Sequence, residues 1–216
     1  MSISNLISIA WDGRKPNPKA AQVDVLVLTG HKYFVDLRVK KSTEEIEWAF
    51  AGTRTSQPGE HKGETKCTWS HLISSRVPAE AHILGQPVAT DSGINSPHPD
   101  DPLNLTLERG RMLNPENGAI EPFEEVWKDV EAPKGTLVAF LEREDGKAMI
   151  GTIGQRRIGV GIGWGWKTGD EGGVIQFYGK GDREQDGSDI EFNDLEAWKE
   201  GERVQGCWII QELWRT

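Results

Sequence analysis

The chain has 216 residues, and its 25 basic and 34 acidic side chains give a formal net charge of −9. This acidic balance excludes the basic surface that a nucleic-acid partner or an anionic membrane requires. The sequence has only two cysteines, no secretory signal pattern and no apolar run of the roughly 18 residues that a membrane span needs, so we expect a cytoplasmic protein with free thiols.

Residues 23–73 alternate apolar and polar side chains, which is typical of half-buried β-strands. We predict strands over 23–28, 32–39, 44–52 and 64–73. Because the connections between them are short, the pattern favours an antiparallel meander that begins with a hairpin at Thr29-Gly30-His31.

Residues 74–102 interrupt this pattern with Pro, Gly, Ser, Asp and His. The prolines prevent a long element, so we expect a connection of almost 30 residues without strands, of the kind that forms a lid or a binding loop. Strands are predicted again over 103–113 and 119–130.

A Pro-Lys-Gly segment at 133–135 indicates a boundary between a first unit, 1–131, and a second unit, 132–216. The second unit has strand patterns at 136–141, 148–153, 174–179 and 207–214. One short helix is predicted at 193–199, with a capping Asn or Asp and a Gly stop. The fold class is therefore all-β, with two antiparallel units that form small barrels or half-barrels.

Glycine occupies every second position from Gly159 to Gly165. Glycine weakens a strand interior, so its repetition indicates that another group approaches the backbone closely. A dinucleotide site is excluded, because no glycine completes the G-x-G-x-x-G spacing and a strand follows. Three explanations remain: a bend that closes the second barrel, an aromatic ring that lies flat on the glycines, or a ligand.

No phosphate-binding loop, metalloprotease or nucleophile-elbow motif is present, and the five histidines lack metal-ligand spacing. We therefore predict no metal and no cofactor.

Three side chains are candidates for catalysis, because the alternation along their strands places them on faces that could point into a barrel. His71 shares a face with Cys67 and Trp69 and could act as a general acid or base, or be a structural histidine that bonds a neighbour. Glu47 stands among small residues and could contact a ligand, or belong to a solvated edge. Arg109 shares a strand face with Leu105 and Leu107. If this face is buried, the guanidinium needs a carboxylate or a ligand anion as its partner.

Other charged residues on these strands have structural explanations. Glu125 is a possible carboxylate partner for Arg109. Asp36 and Arg38 lie two apart on one strand face, where a surface ion pair is favoured over a pair inside a barrel.

Aromatic side chains are unusual here, because nine Trp accompany only two Tyr. Indole rings can line a pocket for a flat or terpenoid-like apolar molecule, or they can simply fill the cores. On the first interpretation the predicted ligand-binding residues are Tyr33, Trp48, Phe50, Trp69 and Trp127.

Three segments together resemble the fungal Hri-type family: EWAFAG at 47–52, EEVWKDV at 124–130, and LEAWKEGERV at 195–204, which is followed by Trp208. The resemblance implies two lipocalin-like barrels in tandem, a cytosolic or nuclear location and association with a casein-kinase-1-type kinase. It implies no catalytic residues.

Two functions follow from these observations. The first is a barrel that binds a small apolar molecule and, in a catalytic version, is a cofactor-independent cyclase or isomerase of fungal secondary metabolism. The alternative is a non-catalytic protein that binds a kinase or another protein partner through an outer surface or through the acidic loop 182–189. An open cavity would favour the first function, and filled barrels with a large exposed apolar patch would favour the second.

Overall fold

The protein is described from a computed structural model, and the description takes in residues 1–14, 22–114, 117–169, 173, 175–179, 186–192 and 197–216. These residues form an all-β structure, as predicted, with one short 3₁₀ turn at Ala79–Ala81. The first eight strands are β1 Ser2–Trp11, β2 Val23–Thr29, β3 Tyr33–Lys40, β4 Ile46–Pro58, β5 Thr65–Ser74, β6 Ala89–Pro97, β7 Leu105–Leu113 and β8 Ile120–Glu131.

Strands β1 to β8 form a closed antiparallel barrel in which every strand pairs with its neighbours in sequence. The barrel closes where β1 pairs with β8, from Ser2 opposite Glu131 to Trp11 opposite Phe123. This up-and-down order removes the free sheet edges, because each strand has a partner on both sides.

Alternation along each strand separates two environments. On β3, Phe34, Asp36 and Arg38 face the barrel interior, where they line a cavity. The residues between them, including Val35 and Leu37, are fully buried on the outer face of the barrel. An outer face this apolar must be covered, and a second sheet covers it.

The second sheet has seven strands in the described part of the chain, in the order β13-β12-β11-β10-β9-β15-β14. Their bounds are β9 Leu137–Arg143, β10 Ala148–Ile153, β11 Arg156–Gly161, β12 Trp164–Thr168, β13 Ile175–Gly179, β14 Arg203–Val204 and β15 Trp208–Arg215. The structure thus shows one closed barrel and one sheet, and a second lipocalin-like barrel stays a prediction, as does the domain boundary at 131.

The second sheet packs on the outside of the barrel through a continuous apolar cluster. The barrel contributes residues of β2 to β5, and the sheet contributes residues of β9 to β11. Leu28, Val35 and Leu37 from the barrel and Phe140 and Val160 from the sheet are all completely buried there. Burial of such side chains contributes roughly 25 cal/mol per Å² of apolar area.

A buried carboxylate also joins the two sheets. Glu212 on β15 accepts hydrogen bonds from the backbone N–H groups of His31, Lys32 and Tyr33, at 2.6, 3.1 and 3.1 Å. The Trp214 indole N–H donates to the same carboxylate at 2.8 Å. These bonds hold the β2–β3 turn against the second sheet.

The glycine-rich stretch is a hairpin rather than one strand, because Ile162 and Gly163 form a turn between β11 and β12. Gly159 lies opposite Trp166 and Gly161 opposite Trp164. A Cβ atom on either glycine would stand 2.3 Å from the partner's indole ring. The explanation of a ring lying flat on glycine is therefore the correct one for these two positions.

Three strands were not predicted. The alternation in β1 is interrupted at Ile7, where the register with β8 shifts, β14 has only two residues, and β6 lies in the segment 74–102 where no strand was expected. β6 has few residues of high strand propensity, but it pairs along its length with β5 and β7. Backbone pairing inside a closed barrel thus outweighs its weak propensity.

Regular alternation along the predicted strand 64–73 would place Ile73 on the same face as His71. The two do not share a face, because a bulge at Leu72 shifts the register between β4 and β5. The predicted helix falls largely on 193–196, which lie outside the described residues, and 197–199 are not helical.

Candidate functional site

The closed barrel contains a cavity of about 190 Å³. An apolar cavity of about 150 Å³ is large enough for benzene, so this space suits a molecule of one or two rings. Its walls come from all eight strands of the barrel, with Phe34 on β3, Trp69 on β5 and Trp127 on β8 among them. The cavity is lined by both aromatic and charged groups.

The aromatic wall is a set of rings in mutual contact. Trp48 stacks on Phe50 with ring centroids 4.0 Å apart, and Phe34 meets Trp69 edge to face at 4.9 Å. The Trp48 indole N–H donates to Ser74 Oγ at 3.1 Å, which fixes the ring orientation. Rings locked in this way provide a rigid surface for a flat ligand.

His71 lies within this aromatic wall and is completely buried. Its ring centroid is 4.5 Å from that of Phe50 and 5.5 Å from that of Trp48. Nε2 is 3.2 Å from Asp91 Oδ2, but neither ring nitrogen makes a hydrogen bond of good geometry within the described part of the chain. A buried imidazole without such a bond is costly in free energy, which is a reason to look for a function.

A buried ion cluster lies at the centre of the barrel. Arg38 donates to Asp36 through Nε and Nη2, at 3.1 and 2.9 Å to Oδ2, and Nη1 lies 3.4 Å from Glu125 Oε1. Burial raises the pKa of Asp36, while Arg38 opposes the change. Burial by itself would lower the pKa of Arg38, but the two carboxylates outweigh it and raise this pKa. The guanidinium is therefore a fixed cation.

Glu108 on β7 lies directly opposite Glu125 on β8, and both side chains are buried. Burial and the charge of Glu125 raise the pKa of Glu108 to about 8, against the opposing influence of Arg38, the Trp69 indole and Arg54. Burial also raises the pKa of Glu125. Like charges in direct opposition are unfavourable, so the pair holds a proton at neutral pH.

The position of Glu108 depends on Gly93 on the adjacent strand β6. A Cβ atom at position 93 would stand 2.3 Å from Glu108 Oε1 and 2.8 Å from its Cγ. The Glu108 side chain therefore lies across the bare backbone of Gly93. This is a second place where glycine makes room for a functional or packed side chain.

Polar atoms without hydrogen-bond partners are concentrated in the cavity wall. Among the described residues, five buried side-chain atoms that lack such a partner belong to residues that line the cavity. The five are Arg54 Nε, His71 Nδ1, His71 Nε2, Asn95 Oδ1 and Trp127 Nε1. They include donors and an acceptor, so a molecule with polar atoms could satisfy them.

Five of the predicted site residues line this cavity. They are His71, Trp48, Phe50, Trp69 and Trp127. Their placement agrees with the strand parity used in the prediction, and their roles in binding or catalysis stay predictions.

Three predicted site residues do not line the cavity. Glu47 lies beside it in ion pairs with Lys40 and Arg76, at 3.5 and 3.6 Å. Arg109 is on the outside, with 52% of its side chain exposed, and it pairs with Glu124 rather than with Glu125.

Tyr33 is buried between the barrel and the second sheet. It precedes the inward-facing Phe34 on β3, so it points to the opposite face.

Sequence reasoning missed four polar groups of the cavity, Asp36, Arg38, Glu108 and Glu125, as site residues. Asp36 and Arg38 were expected at the surface, but the Arg38 side chain is 13% exposed and that of Asp36 4%. Their spacing could have identified them as site residues. Positions 34, 36 and 38 lie on the same face of a strand, so an inward-facing Phe34 implies that Asp36 and Arg38 also point into the barrel.

The described residues contain no group of three His, Cys, Asp or Glu side chains placed to hold a metal ion. They also include no helix of the length and hydropathy that could cross a membrane. Cys67 and Cys207 are not joined in a disulfide, and Cys67 is buried where Arg54 Nη2 and Asn95 Nδ2 contact its sulfur at 3.1 and 3.3 Å.

Comparison with known proteins gives one match. A family model described as Protein HRI1 matches residues 2–160, which cover the whole barrel and the strands β9 and β10 of the second sheet. No curated protein and no solved structure matches the chain.

Proposed function

The chain belongs to the HRI1 family, and we propose that its closed barrel, as in lipocalin-like proteins, binds a small organic molecule. The observation that carries this proposal is the cavity of about 190 Å³ whose wall holds five buried polar atoms without hydrogen-bond partners. A barrel that served only as a scaffold would gain stability by filling this space with apolar side chains.

The cavity wall also defines the kind of molecule. Phe34, Trp48, Phe50 and Trp69 offer ring surfaces, so the ligand has a flat apolar part. Arg54, Asn95 and Trp127 offer polar atoms that need partners, so the ligand also carries polar groups. The ligand we propose is therefore amphipathic, which refines the wholly apolar molecule expected from the tryptophans alone.

The test begins with native mass spectrometry of the purified protein, to detect a molecule that remains bound. We expect an adduct that disappears in the variant Thr106→Phe, because Thr106 lines the cavity and a ring there reduces its volume. The matched control is Thr55→Phe, which places the same ring on the exposed outer face of β4. If no adduct forms, and if no member of a panel of small aromatic compounds changes the tryptophan fluorescence, the proposal fails.

A catalytic version of this function, a cofactor-independent cyclase or isomerase, is favoured by one observation. Glu108 keeps its proton at neutral pH, with a pKa of about 8, and faces the same cavity as the unbonded nitrogens of His71. A protonated carboxyl and an imidazole can supply the acid and the base that moving a proton within a bound substrate requires.

Catalysis is tested on the molecule identified by mass spectrometry. Cyclisation and isomerisation conserve mass, so the product would be detected as a new chromatographic peak of unchanged mass. We expect Glu108→Gln to abolish that peak even at ligand concentrations that saturate the variant. A peak that persists at the full rate in this variant excludes Glu108 as the acid. The alternative function, association with a protein partner such as a kinase, stays a prediction, and part of the acidic loop expected to serve it, 182–185, lies outside the described residues.

A further inference from the structure

The side chains that line the cavity carry more acidic than basic groups. Five carboxyl groups line it: Asp36, Asp91, Glu108, Glu125 and Asp129. The basic side chains of the lining are Arg38 and Arg54, with His71 as a third when it is protonated. Acidic groups therefore outnumber basic ones in every protonation state of His71.

Arg38 already forms ion pairs with carboxyl groups of this set. Its guanidinium contacts both Asp36 and Glu125, and it lies over the rings of Trp48 and Phe50 at 5.3 and 5.4 Å from their centroids. Arg38 thus has carboxylates and aromatic faces around it and offers little to a further anion. Of the buried carboxyl groups that line the cavity, Glu108 is therefore the one without an ion pair at hydrogen-bond distance among the described residues.

From this geometry we infer that the ligand of the barrel is a small aromatic cation, such as a primary ammonium on a ring-bearing chain, and that Glu108 is its counter-ion. The inference rests on the proposed function, because it specifies the charge of the molecule held in the same cavity. A cation would compensate the excess of carboxyl groups, and the ring would contact the aromatic wall.

The unpartnered polar atoms of the wall are independent support for a ligand at this place. His71 is completely buried and Trp127 is 7% exposed, yet their ring nitrogens have no hydrogen-bond partner among the described residues. An ammonium group is a donor only, so it could bond the Asn95 side-chain oxygen, which is also without a partner. Arg54 Nε and Trp127 Nε1 are donors, and they would accommodate a hydroxyl or carbonyl oxygen on the same ligand.

The inference predicts a proton release on binding. Burial and Glu125 keep Glu108 protonated at neutral pH, because they raise its pKa to about 8, and a cation beside it would favour the ionised form. The titratable side chains that line the same cavity as Glu108 are Glu125 and Asp129 on β8, Asp91 on β6, Arg38 and Asp36 on β3, Arg54 on β4 and His71 on β5. Affinity for a cation should therefore rise with pH between 6 and 8, by up to about tenfold per pH unit, as one proton is released.

The experiment titrates the purified full chain with three probes of nearly the same shape, 2-phenylethylammonium, neutral 2-phenylethanol and anionic phenylacetate. Isothermal calorimetry at pH 6, 7 and 8, in buffers of different ionisation enthalpy, gives the dissociation constant and the number of protons released. We expect the ammonium to bind at least ten times more tightly than the alcohol at pH 8, to gain affinity as the pH rises, and to release close to one proton.

Two variants locate the effect. Glu108→Gln should lower the affinity for the ammonium to that for the alcohol, and it should remove the proton release. Binding of the alcohol should stay unchanged. Gly93→Ala should weaken ammonium binding because its methyl group displaces the Glu108 carboxyl. The matched control is Glu124→Gln, which neutralises an exposed carboxylate of the neighbouring strand and should alter neither result.

The outcomes separate the two proposals. If the alcohol or phenylacetate binds as tightly as the ammonium in the wild-type chain, or if no proton is released, the inference of a cationic ligand is overturned and the binding function stands. If none of the three probes binds and no adduct is found by native mass spectrometry, both are overturned.

Discussion

Tryptophan serves two different purposes in the two sheets of this molecule. In the barrel, Trp48, Trp69 and Trp127 stand at the wall of a cavity beside charged groups. In the second sheet, Trp166 and Trp208 are almost completely buried in an apolar cluster. The same residue type thus lines an open space in one region and fills a core in the other.

The neighbouring residues explain this difference. In the second sheet, glycine lies directly opposite two of the indoles, Gly159 opposite Trp166 and Gly161 opposite Trp164, and lets each ring lie on the backbone. In the barrel, the positions around the indoles hold Asp36, Arg38 and Glu108, whose charges must be paired or solvated rather than packed. Interior volume that charged groups occupy cannot collapse as an apolar core does, so the cavity remains.

The largest effect we predict is the loss of the buried cation. Arg38→Met leaves Asp36 and Glu125 without their shared guanidinium, so we expect the free energy of unfolding to fall by about 3–5 kcal/mol at pH 7. Urea unfolding followed by circular dichroism measures the change. A loss below about 1 kcal/mol would show that the charges of the barrel interior are not interdependent.

The next effect concerns the tryptophan core of the second sheet. Gly161→Val places side-chain atoms where the Trp164 indole lies, and overpacking of this kind typically costs about 1–3 kcal/mol. The double variant with Trp164→Ala should lose less stability than the sum of the two single variants, because the overlap is relieved. Strict additivity in this cycle would contradict the packing of the indole on glycine.

The third prediction is a dependence of stability on pH that arises in the barrel interior. Glu108 has a higher pKa in the folded chain, about 8, than its ordinary value of 4.5, so the folded state binds the extra proton. Its stabilising contribution is complete below pH 4.5 and is lost as the pH rises to about 8, with a slope of up to about 1.4 kcal/mol per pH unit. Burial raises the pKa values of Asp36 and Glu125 as well, so these two carboxyl groups affect the stability in the same direction.

Urea unfolding at intervals from pH 5 to pH 8 measures this slope. We expect Glu108→Gln to make the curve flatter than that of the wild type. The neutralised exposed residue in Glu124→Gln should leave the slope as it is. A wild-type chain whose stability rises steadily with pH over this range would show that the interior carboxyl groups are ionised on folding.

The smallest effect is expected at Arg109, which pairs with Glu124 on the outer surface of the barrel. Arg109→Met should reduce the free energy of unfolding by less than about 1 kcal/mol, because an exposed pair is well solvated. It should also leave ligand binding unchanged, since Arg109 does not line the cavity. A loss as large as that of Arg38→Met would erase the contrast between interior and surface charges.

The sequence is sufficient for most strands, because apolar and polar residues alternate clearly in segments such as β3, and β10 is a short apolar run after a turn at Asp145-Gly146. It is insufficient where tertiary pairing decides, as in β6, whose weak propensity is overcome by two neighbouring strands. Parity placed His71 and Trp69 in the cavity, but it could not reveal the bulge at Leu72 that moves Ile73 to the other face.

The polar half of the site is harder to predict for a physical reason. A charged pair such as Asp36 and Arg38 is usually exposed, because burial of ions is unfavourable unless several partners converge. Glu125, from a strand far along the chain, is the partner that makes burial of Arg38 possible. Such a contact is set by barrel closure, which no local pattern encodes.

The central claim is that the barrel interior is a binding site rather than a poorly filled core. It is tested most directly by thermal unfolding of the wild-type chain and of Thr106→Phe with increasing 2-phenylethylammonium at pH 8. We predict a saturable rise in the unfolding temperature of the wild type that follows one-site binding, and almost none in Thr106→Phe. Equal rises in both proteins, or no rise in either with this ammonium, 2-phenylethanol or phenylacetate, would contradict the claim.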